Sequence, residues 1–134
     1  MTFETLTLQT EFNKCYHITA DVQAVVDKSG ITDGICVVTT SAPSIGIGLP
    51  SHWDKLGWDD MMDDMNRLIP TRVDFKDTTG TPYDAAAKIK AAFVGNCCNV
   101  IVKEGKLYLG SSQGILLHEF GNDGGTRTVD IVVM

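Results

Sequence analysis

Strand patterns at both ends of the sequence, with helical patterns between them, constrain the fold more than any other feature. Residues 3–8 read FETLTL, in which threonines alternate with other residue types, and residues 126–133 have a final apolar strand pattern. This order of elements predicts an α+β fold with a largely antiparallel, two-layered β body and two or three helices. Both chain termini are expected to be tied into the sheets.

The most regular helical pattern lies in the stretch WDKLGWDDMMDDMNRLIP. Its apolar residues recur at helical spacing from Trp58 to Ile69, aspartates that include Asp60 fill the other face, and Pro70 ends the pattern. We interpret the methionines as core packing. The acidic face is interpreted as a solvated surface, with a cation site as the alternative.

Capping and turn residues predict the remaining elements. Thr19 is the predicted N-cap of a helix that ends at Gly30, and Thr81 is the predicted N-cap of a helix over residues 83–94. Further strands are predicted at residues 34–40, 98–103, 106–109 and 113–120, with a tight hairpin at Glu104-Gly105.

Composition limits the domain count and the class of function. The chain has 134 residues, 43% of them hydrophobic, so residues 1–134 are expected to form one domain with a sizeable core. A net charge of −6, without any cluster of lysine or arginine, argues against nucleic-acid binding. The apolar runs are far shorter than the ~20 residues that span a membrane.

The cysteines and the N-terminal residues predict a cytoplasmic location. Cys15, Cys36, Cys97 and Cys98 have no spacing typical of a zinc knuckle or a local disulfide. We expect reduced and mostly buried thiols, as in cytosolic proteins. The first residues, MTFETLTLQTEF, lack the basic and apolar regions of a signal peptide.

The segment VVTTSAPSIGIGL begins as a strand and then becomes rich in hydroxyl groups. Pro43 interrupts the strand, and Gly46 and Gly48 are expected to leave backbone exposed. Hydroxyl and backbone N–H groups in such a run can hold an anion or a small polar ligand. The alternative is an ordinary strand edge, in which Thr40 and Ser41 satisfy nearby backbone groups.

The C-terminal third carries the most specific motifs. IKAAFVG, EGKLYLGSSQGILLHEF and GGTRTVDIVV follow, in that order, TTSA at 39–42 and NRLIP at 66–70. The series resembles the YjbQ family, also called UPF0047 or the secondary thiamine-phosphate synthase family, over nearly the whole chain. The resemblance implies a compact, YjbQ-like β-sandwich or pseudobarrel with a few helices, assembled as a homotrimer. It also implies a weak thiamine-phosphate synthase activity, which joins a pyrimidine diphosphate to a thiazole phosphate and releases pyrophosphate.

This sequence departs from the family pattern at several site positions. The family usually has histidines where this chain has Thr39, Asp77 and Lys88, and a tryptophan where it has Ser112. The family's Asn-Glu pair falls at residues 46–49, which contain neither an acid nor an amide. The groups best suited to metal ligation or proton transfer are therefore missing together.

The remaining histidines do not fall on family site positions. They are His17, His52 and His118, and each is interpreted as a surface or packing residue. His118 and Glu119 are neighbours on a predicted strand, so their side chains are expected to point to opposite faces.

Two hypotheses for the function remain. The first is a divergent family member that binds a small anionic or phosphorylated ligand, or that has kept only the fold, with no catalytic residue or metal site assigned. The alternative is a weak thiamine-phosphate synthase, for which magnesium would be the cofactor. Asp77 and Lys88 are also predicted to form an ion pair in place of two histidines. The candidate ligand-binding residues are Thr40, Ser41, Asp60, Asp77, Lys88, Gln113, Glu119 and Arg127.

Overall fold

The computed structural model describes residues 1–51 and 54–134. His52, one of the three histidines considered above, lies outside the described residues. Within the described ranges the chain forms eight strands and three helices. In chain order they are β1 (Thr2–Thr10), β2 (Lys14–His17), α1 (Thr19–Ser29), β3 (Gly34–Thr39), β4 (Ile45–Gly48), α2 (Lys55–Leu68), α3 (Pro82–Val94), β5 (Cys97–Lys103), β6 (Lys106–Leu107), β7 (Leu116–Glu119) and β8 (Gly125–Val133).

The described strands form two antiparallel sheets. The larger sheet has the order β1-β8-β3-β5-β6, and the smaller one has the order β2-β7-β4. The chain ends pair with each other, from Thr2 opposite Val133 to Thr10 opposite Gly125. The two sheets and the three helices confirm the predicted α+β class, and both termini are tied into the larger sheet.

The smaller sheet lies between the larger sheet and two of the helices. Its inner face and helix α1 share the main core with the larger sheet, through residues such as Val22, Ile47 and Leu117. Its other face packs against α2 and α3, where Met65, Ala91 and other apolar residues surround Phe120. The methionines of α2 are therefore core residues, as predicted. The opposite, outer face of the larger sheet carries exposed apolar side chains.

Local capping explains where the helices begin. Helix α3 has the predicted N-cap, because the Thr81 hydroxyl accepts from the Asp84 N–H while the Asp84 carboxylate accepts from the Thr81 N–H. Helix α2 begins earlier than its apolar pattern, at Lys55, because the Asp54 side chain accepts from the Leu56 N–H.

The predicted Thr19 N-cap was wrong. Helix α1 already includes Thr19, and the residue before it, Ile18, makes no side-chain cap. The Thr19 hydroxyl instead accepts the Ile115 N–H at 2.8 Å, which connects α1 to the segment that enters β7. The hydroxyl group that a local N-cap would use is therefore engaged in a tertiary hydrogen bond.

Two short strands were missed, and two predicted strands were too long. Strand β4 has the sequence IGIG, whose glycines disfavour a strand when judged alone, and β2 is only 4 residues long. Both are stabilised by pairing with β7, which lies between them. Strand β7 covers Leu116–Glu119 rather than residues 113–120, and β6 ends at Leu107 rather than at residue 109.

Gly46 does not expose its backbone, contrary to the expectation from sequence. It is buried beneath α3, and a Cβ atom at Gly46 would lie 2.7 Å from Val94 Cβ. A Cβ atom at Gly48 would have its nearest neighbour at 3.8 Å, an ordinary contact distance. Glycine at position 46 therefore sets how closely α3 approaches the smaller sheet.

Replacing Gly46→Ala should lower the free energy of unfolding by about 1–3 kcal/mol, because the new methyl group overpacks against Val94. Urea unfolding followed by circular dichroism measures this loss. Gly48→Ala is the matched control and should leave stability nearly unchanged. Equal losses in the two variants would contradict the close approach of α3.

Candidate functional site

Glu119 is a fully buried carboxylate with four hydrogen-bond donors around it. Its Oε1 accepts from the Thr10 hydroxyl and from Arg127 Nε, both at 2.7 Å. Its Oε2 accepts from the Ser44 hydroxyl at 2.8 Å and from the Gly121 N–H at 2.9 Å. Because these donors occupy both oxygens, Glu119 joins the two sheets as a structural group rather than facing a ligand.

Arg127 is committed to the same network. Besides its bond to Glu119, its Nη2 donates to the Gly124 carbonyl at 2.8 Å. The Arg127 side chain is 24% exposed, whereas Glu119 is 0% exposed. The pair therefore closes the end of the β1–β8 ribbon, and the guanidinium is not a free anion-binding group.

His118 points away from Glu119, as the strand alternation predicted. The imidazole is fully buried and stacks on Phe120 with ring centroids 6.1 Å apart. Its Nδ1 lies 3.2 Å from the Gly46 carbonyl oxygen, and burial lowers the pKa of His118 below its ordinary value. This is a packing histidine, in agreement with the prediction.

Thr40 and Gln113 satisfy backbone groups. The Thr40 hydroxyl donates to the Thr128 carbonyl at 2.9 Å and accepts from the Ala42 N–H at 3.2 Å. Gln113 donates to the Leu49 carbonyl at 3.2 Å and accepts from the Gly110 N–H at 3.0 Å. Thr40 therefore satisfies backbone groups at a strand edge, which was the alternative interpretation from the sequence.

Ser41 and Lys88 both line a cleft between the β3–β4 connection and α3. This Ser41 cleft has a volume of about 380 Å³. Its lining consists of Ser41, Ala42, Pro43, Ile45, Lys88, Ala91, Ala92, Gly95 and Asn96. Among these lining residues Lys88 carries the one formal charge, so the cleft is suited to an anion. Asp60 is exposed on α2 and does not line this cleft.

Asp77 and Lys88 form the predicted ion pair. Lys88 Nζ lies 3.0 Å from Asp77 Oδ2, and both side chains are partly exposed. The other carboxylate oxygen accepts from the Thr79 hydroxyl at 2.6 Å and from the Thr79 N–H at 3.1 Å. These hydrogen bonds, chiefly the Thr79 hydroxyl and then Lys88, lower the pKa of Asp77 to about 2.

Lys88 and Asp77 both line a second cleft. This Asp77 cleft has a volume of about 470 Å³. Its lining consists of Arg72, Asp74, Phe75, Lys76, Asp77, Ala85, Lys88 and Ile89. Ser41 and Asp77 therefore belong to different clefts, and Lys88 is the charged residue that both clefts share.

Lys90 is a buried cation that the sequence interpretation missed. It is only 3% exposed, and its ammonium group donates to Asn66 on α2, whose amide in turn donates to Asn13 Oδ1 at 2.7 Å. Burial lowers the pKa of Lys90. The helical spacing of Lys90 with Ala86 and Ala87 already placed it on the apolar face of α3, which was the available signal.

The described residues contain neither a cluster of potential metal ligands nor a membrane-spanning helix. No group of three or more histidine, cysteine, aspartate or glutamate side chains lies close enough to hold a metal ion in residues 1–51 and 54–134. In the same part of the chain, no helix is long and apolar enough to cross a membrane.

Comparison with known proteins identifies the family. Residues 4–134 match the family described as UPF0047 protein YjbQ-like. UPF0047 protein YugU of Bacillus subtilis is 31% identical over 125 residues, which cover 93% of this chain and 92% of that protein. UPF0047 protein MJ1081 of Methanocaldococcus jannaschii is 32% identical over 103 residues, which cover 77% of this chain and 72% of that protein.

Solved structures agree with this assignment. An uncharacterised YjbQ/UPF0047 protein from Clostridium acetobutylicum is 31% identical, with a TM-score of 0.89 over 98% of this chain and 99% of that one. A protein of unknown function from Sulfolobus solfataricus, 24% identical, shares the fold with a TM-score of 0.90 over 98% of this chain and 94% of that one. The chain therefore belongs to the YjbQ/UPF0047 family.

Replacing Arg127→Met should lower the free energy of unfolding by about 3 kcal/mol, because it leaves the buried Glu119 carboxylate without its cation. Chemical denaturation measures the loss. Arg67→Met is the control, since Arg67 pairs with Asp64 on the exposed surface of α2 and should cost less than about 1 kcal/mol. Similar losses for both variants would show that the Glu119 pair is not the stronger interaction.

The Asp77 carboxyl should titrate near pH 2, well below its ordinary value of 3.8. Because its pKa is lowered in the folded protein, its contribution to stability is present above pH 3.8 and is lost as the pH falls towards 2. Carbon-detected NMR of the side-chain carboxyl measures this pKa. Lys88→Met should raise the pKa only part of the way, because the Thr79 hydrogen bonds remain; full restoration would contradict their leading role.

Proposed function

We propose that this family member binds a small anionic or phosphorylated ligand in the Ser41 cleft. The observation that carries the proposal is that one hydroxyl-bearing residue, Ser41, and one cationic residue, Lys88, line the same cleft, which has no lining carboxylate. A phosphate oxygen accepts from both kinds of group, and a charge-assisted hydrogen bond is the stronger of the two. Ligand binding is the first of the two functions considered from the sequence.

The cleft dimensions support a small ligand. Its volume of about 380 Å³ lies at the lower end of the range for small-molecule sites, which runs from about 300 to 1,000 Å³. Ala91 and Ala92 provide an apolar wall, and Asn96 adds an amide near the end of α3. A phosphate monoester with a small organic group matches this combination of one charged corner and an apolar wall.

We propose different roles for the candidate ligand-binding residues. Ser41 and Lys88 are proposed to contact the ligand, and Asp77 is proposed to act through Lys88. Thr40, Gln113, Glu119 and Arg127 support the surrounding backbone through hydrogen bonds already described. Asp60 keeps no assigned role.

The residues around the cleft do not fit a protein-made magnesium site. Hard cations such as Mg²⁺ require oxygen ligands, usually carboxylates. Asp77 is bound to Lys88 and Thr79, and Asp84 closes the N-terminus of α3. The cationic Lys88 in the lining of the cleft also repels a second cation. No part of the proposed binding depends on a metal held by the chain.

Inorganic pyrophosphate is the probe that tests the proposal. Isothermal titration calorimetry should detect binding to the unmodified protein, and Lys88→Met should weaken it about 10- to 100-fold, the loss of a charge-assisted hydrogen bond. Ser41→Ala should weaken it less. Lys76→Met removes a lysine that lines only the Asp77 cleft, so this control should bind normally. Equal weakening by Lys76→Met, or no binding to the unmodified protein, would overturn the proposal.

Thiamine-phosphate synthase activity is the second candidate function. It is favoured by family membership and by the pyrophosphate that this reaction releases, since Lys88 is suited to that leaving group. The direct experiment incubates the pyrimidine diphosphate and thiazole phosphate with magnesium and this protein, beside a family member that retains the histidines. Product above the enzyme-free control would support the synthase; no product beside an active control enzyme would leave ligand binding alone.

We also propose that the chain forms a homotrimer in the cytoplasm. The outer face of the larger sheet supports self-association, because Phe3, Ile35 and Ile101 are 58%, 49% and 59% exposed there. Ile35 pairs directly with Ile101, and Phe3 lies opposite Val132, so these side chains form a continuous apolar area. Four free cysteines support a reducing compartment.

Ile101→Lys should dissociate the proposed trimer, because it places a charge within this apolar area. Size-exclusion chromatography with light scattering should give three times the 14.5 kDa chain mass for the unmodified protein and a single chain mass for the variant. Val73→Lys is the control, since Val73 is 94% exposed in the loop between α2 and α3. A monomeric unmodified protein, or an Ile101→Lys trimer, would refute this arrangement.

A further inference from the structure

The ion pair between Asp77 and Lys88 places a competing anion beside the proposed ligand site. The Lys88 ammonium group contacts Asp77 Oδ2 at 3.0 Å and the Thr79 hydroxyl at 3.4 Å. Both contacts lie on the side of the Asp77 and Thr79 loop. The Ser41 cleft is a separate cleft that the same lysine also lines, and Asp77 is not among its lining residues. The cation that a ligand needs is therefore already neutralised by the protein itself.

Asp77 is held firmly in this position. Its Oδ1 accepts both the N–H and the hydroxyl of Thr79, which leaves Oδ2 directed at Lys88. Lys88, by contrast, has a flexible four-carbon side chain that is 45% exposed. Of the two partners, the lysine is the one that can move towards the Ser41 cleft.

We infer that Asp77 is a built-in competitor that restrains anion binding at Lys88. A ligand anion binds when Lys88 leaves the Asp77 carboxylate and turns towards Ser41. The inference rests on the proposed function and adds a regulatory contact to the same site.

The strength of this competition follows from the exposure of the pair. When only a fraction of the protein is in the binding-competent state, the apparent dissociation constant equals the intrinsic one divided by that fraction. Partly exposed ion pairs are weak, so we expect the pairing with Asp77 to raise the dissociation constant roughly two- to fivefold. The same factor applies to every anion that uses Lys88, because the competitor acts on the lysine and not on the ligand. Asp77 therefore raises the anion concentration at which the site is half occupied.

The experiment compares the unmodified protein with Asp77→Asn. Asparagine keeps a carbonyl oxygen for the Thr79 hydrogen bonds but removes the charge that holds Lys88. Inorganic pyrophosphate and inorganic phosphate are titrated separately at 0.15 M salt, close to the physiological ionic strength that screens distant charges. Amide signals of residues 41 and 88–96 in proton–nitrogen NMR spectra report the binding. Asp77→Asn should bind both anions roughly two- to fivefold more tightly.

Two further variants separate competition from a general change in charge. Asp74→Asn removes the same charge from the same loop, but Asp74 pairs with Arg72 at 3.0 Å and not with Lys88, so affinity should stay nearly constant. Lys88→Met and the double variant Asp77→Asn, Lys88→Met should bind equally weakly, because without the lysine there is nothing to release.

The outcomes distinguish the inference from the proposed function. Equal affinity of the unmodified protein and Asp77→Asn, with binding still dependent on Lys88, would overturn the competition but leave the ligand site intact. Equal tightening by Asp74→Asn would also overturn it, because the effect would then be one of net charge. Absence of binding by the unmodified protein and by Asp77→Asn would overturn both.

Discussion

The buried Glu119 carboxylate is the interaction on which the arrangement of the two sheets depends. It lies at the end of β7 in the smaller sheet and binds Thr10 and Arg127 of the larger one. Ser44 and Gly121 complete its coordination. Removing any one donor leaves a buried carboxylate with an unsatisfied oxygen, which is costlier than losing an exposed contact. The β3–β4 connection, which carries Ser41 and Ser44, is therefore fixed to the core next to the proposed ligand cleft.

Much of the fold was predictable because it follows from local patterns. Alternation identified β1 and β8, helical periodicity identified α2, and the Thr81 cap marked the start of α3 within one residue. Strand β4 was not predictable, because its glycines disfavour a strand locally and Gly46 is required by the close approach of α3. The role of Thr19 was also not predictable, because its hydroxyl accepts a hydrogen bond from the backbone N–H of Ile115, 96 residues away. Long-range pairing leaves no local signal in one sequence.

The candidate site was predictable in part, for a related reason. Chemical type indicated the groups that suit an anion, and the Asp77–Lys88 pair was foreseen from its opposite charges. Residue type cannot reveal which groups are already satisfied. Glu119 and Arg127 satisfy each other, while Thr40 satisfies backbone groups. Among the candidate residues, Ser41 and Lys88 line the Ser41 cleft, and Asp77 and Lys88 line the Asp77 cleft.

Helix α3 separates two tasks between lysines that are two positions apart. Lys88 is exposed at the clefts, whereas Lys90 is buried and connects α3 to Asn66 and, through it, to Asn13. Because successive helical residues turn by about 100°, these two side chains lie on nearly opposite sides of the helix. A substitution at position 88 can therefore change the charge at the clefts while the contact that position 90 makes with α2 is kept.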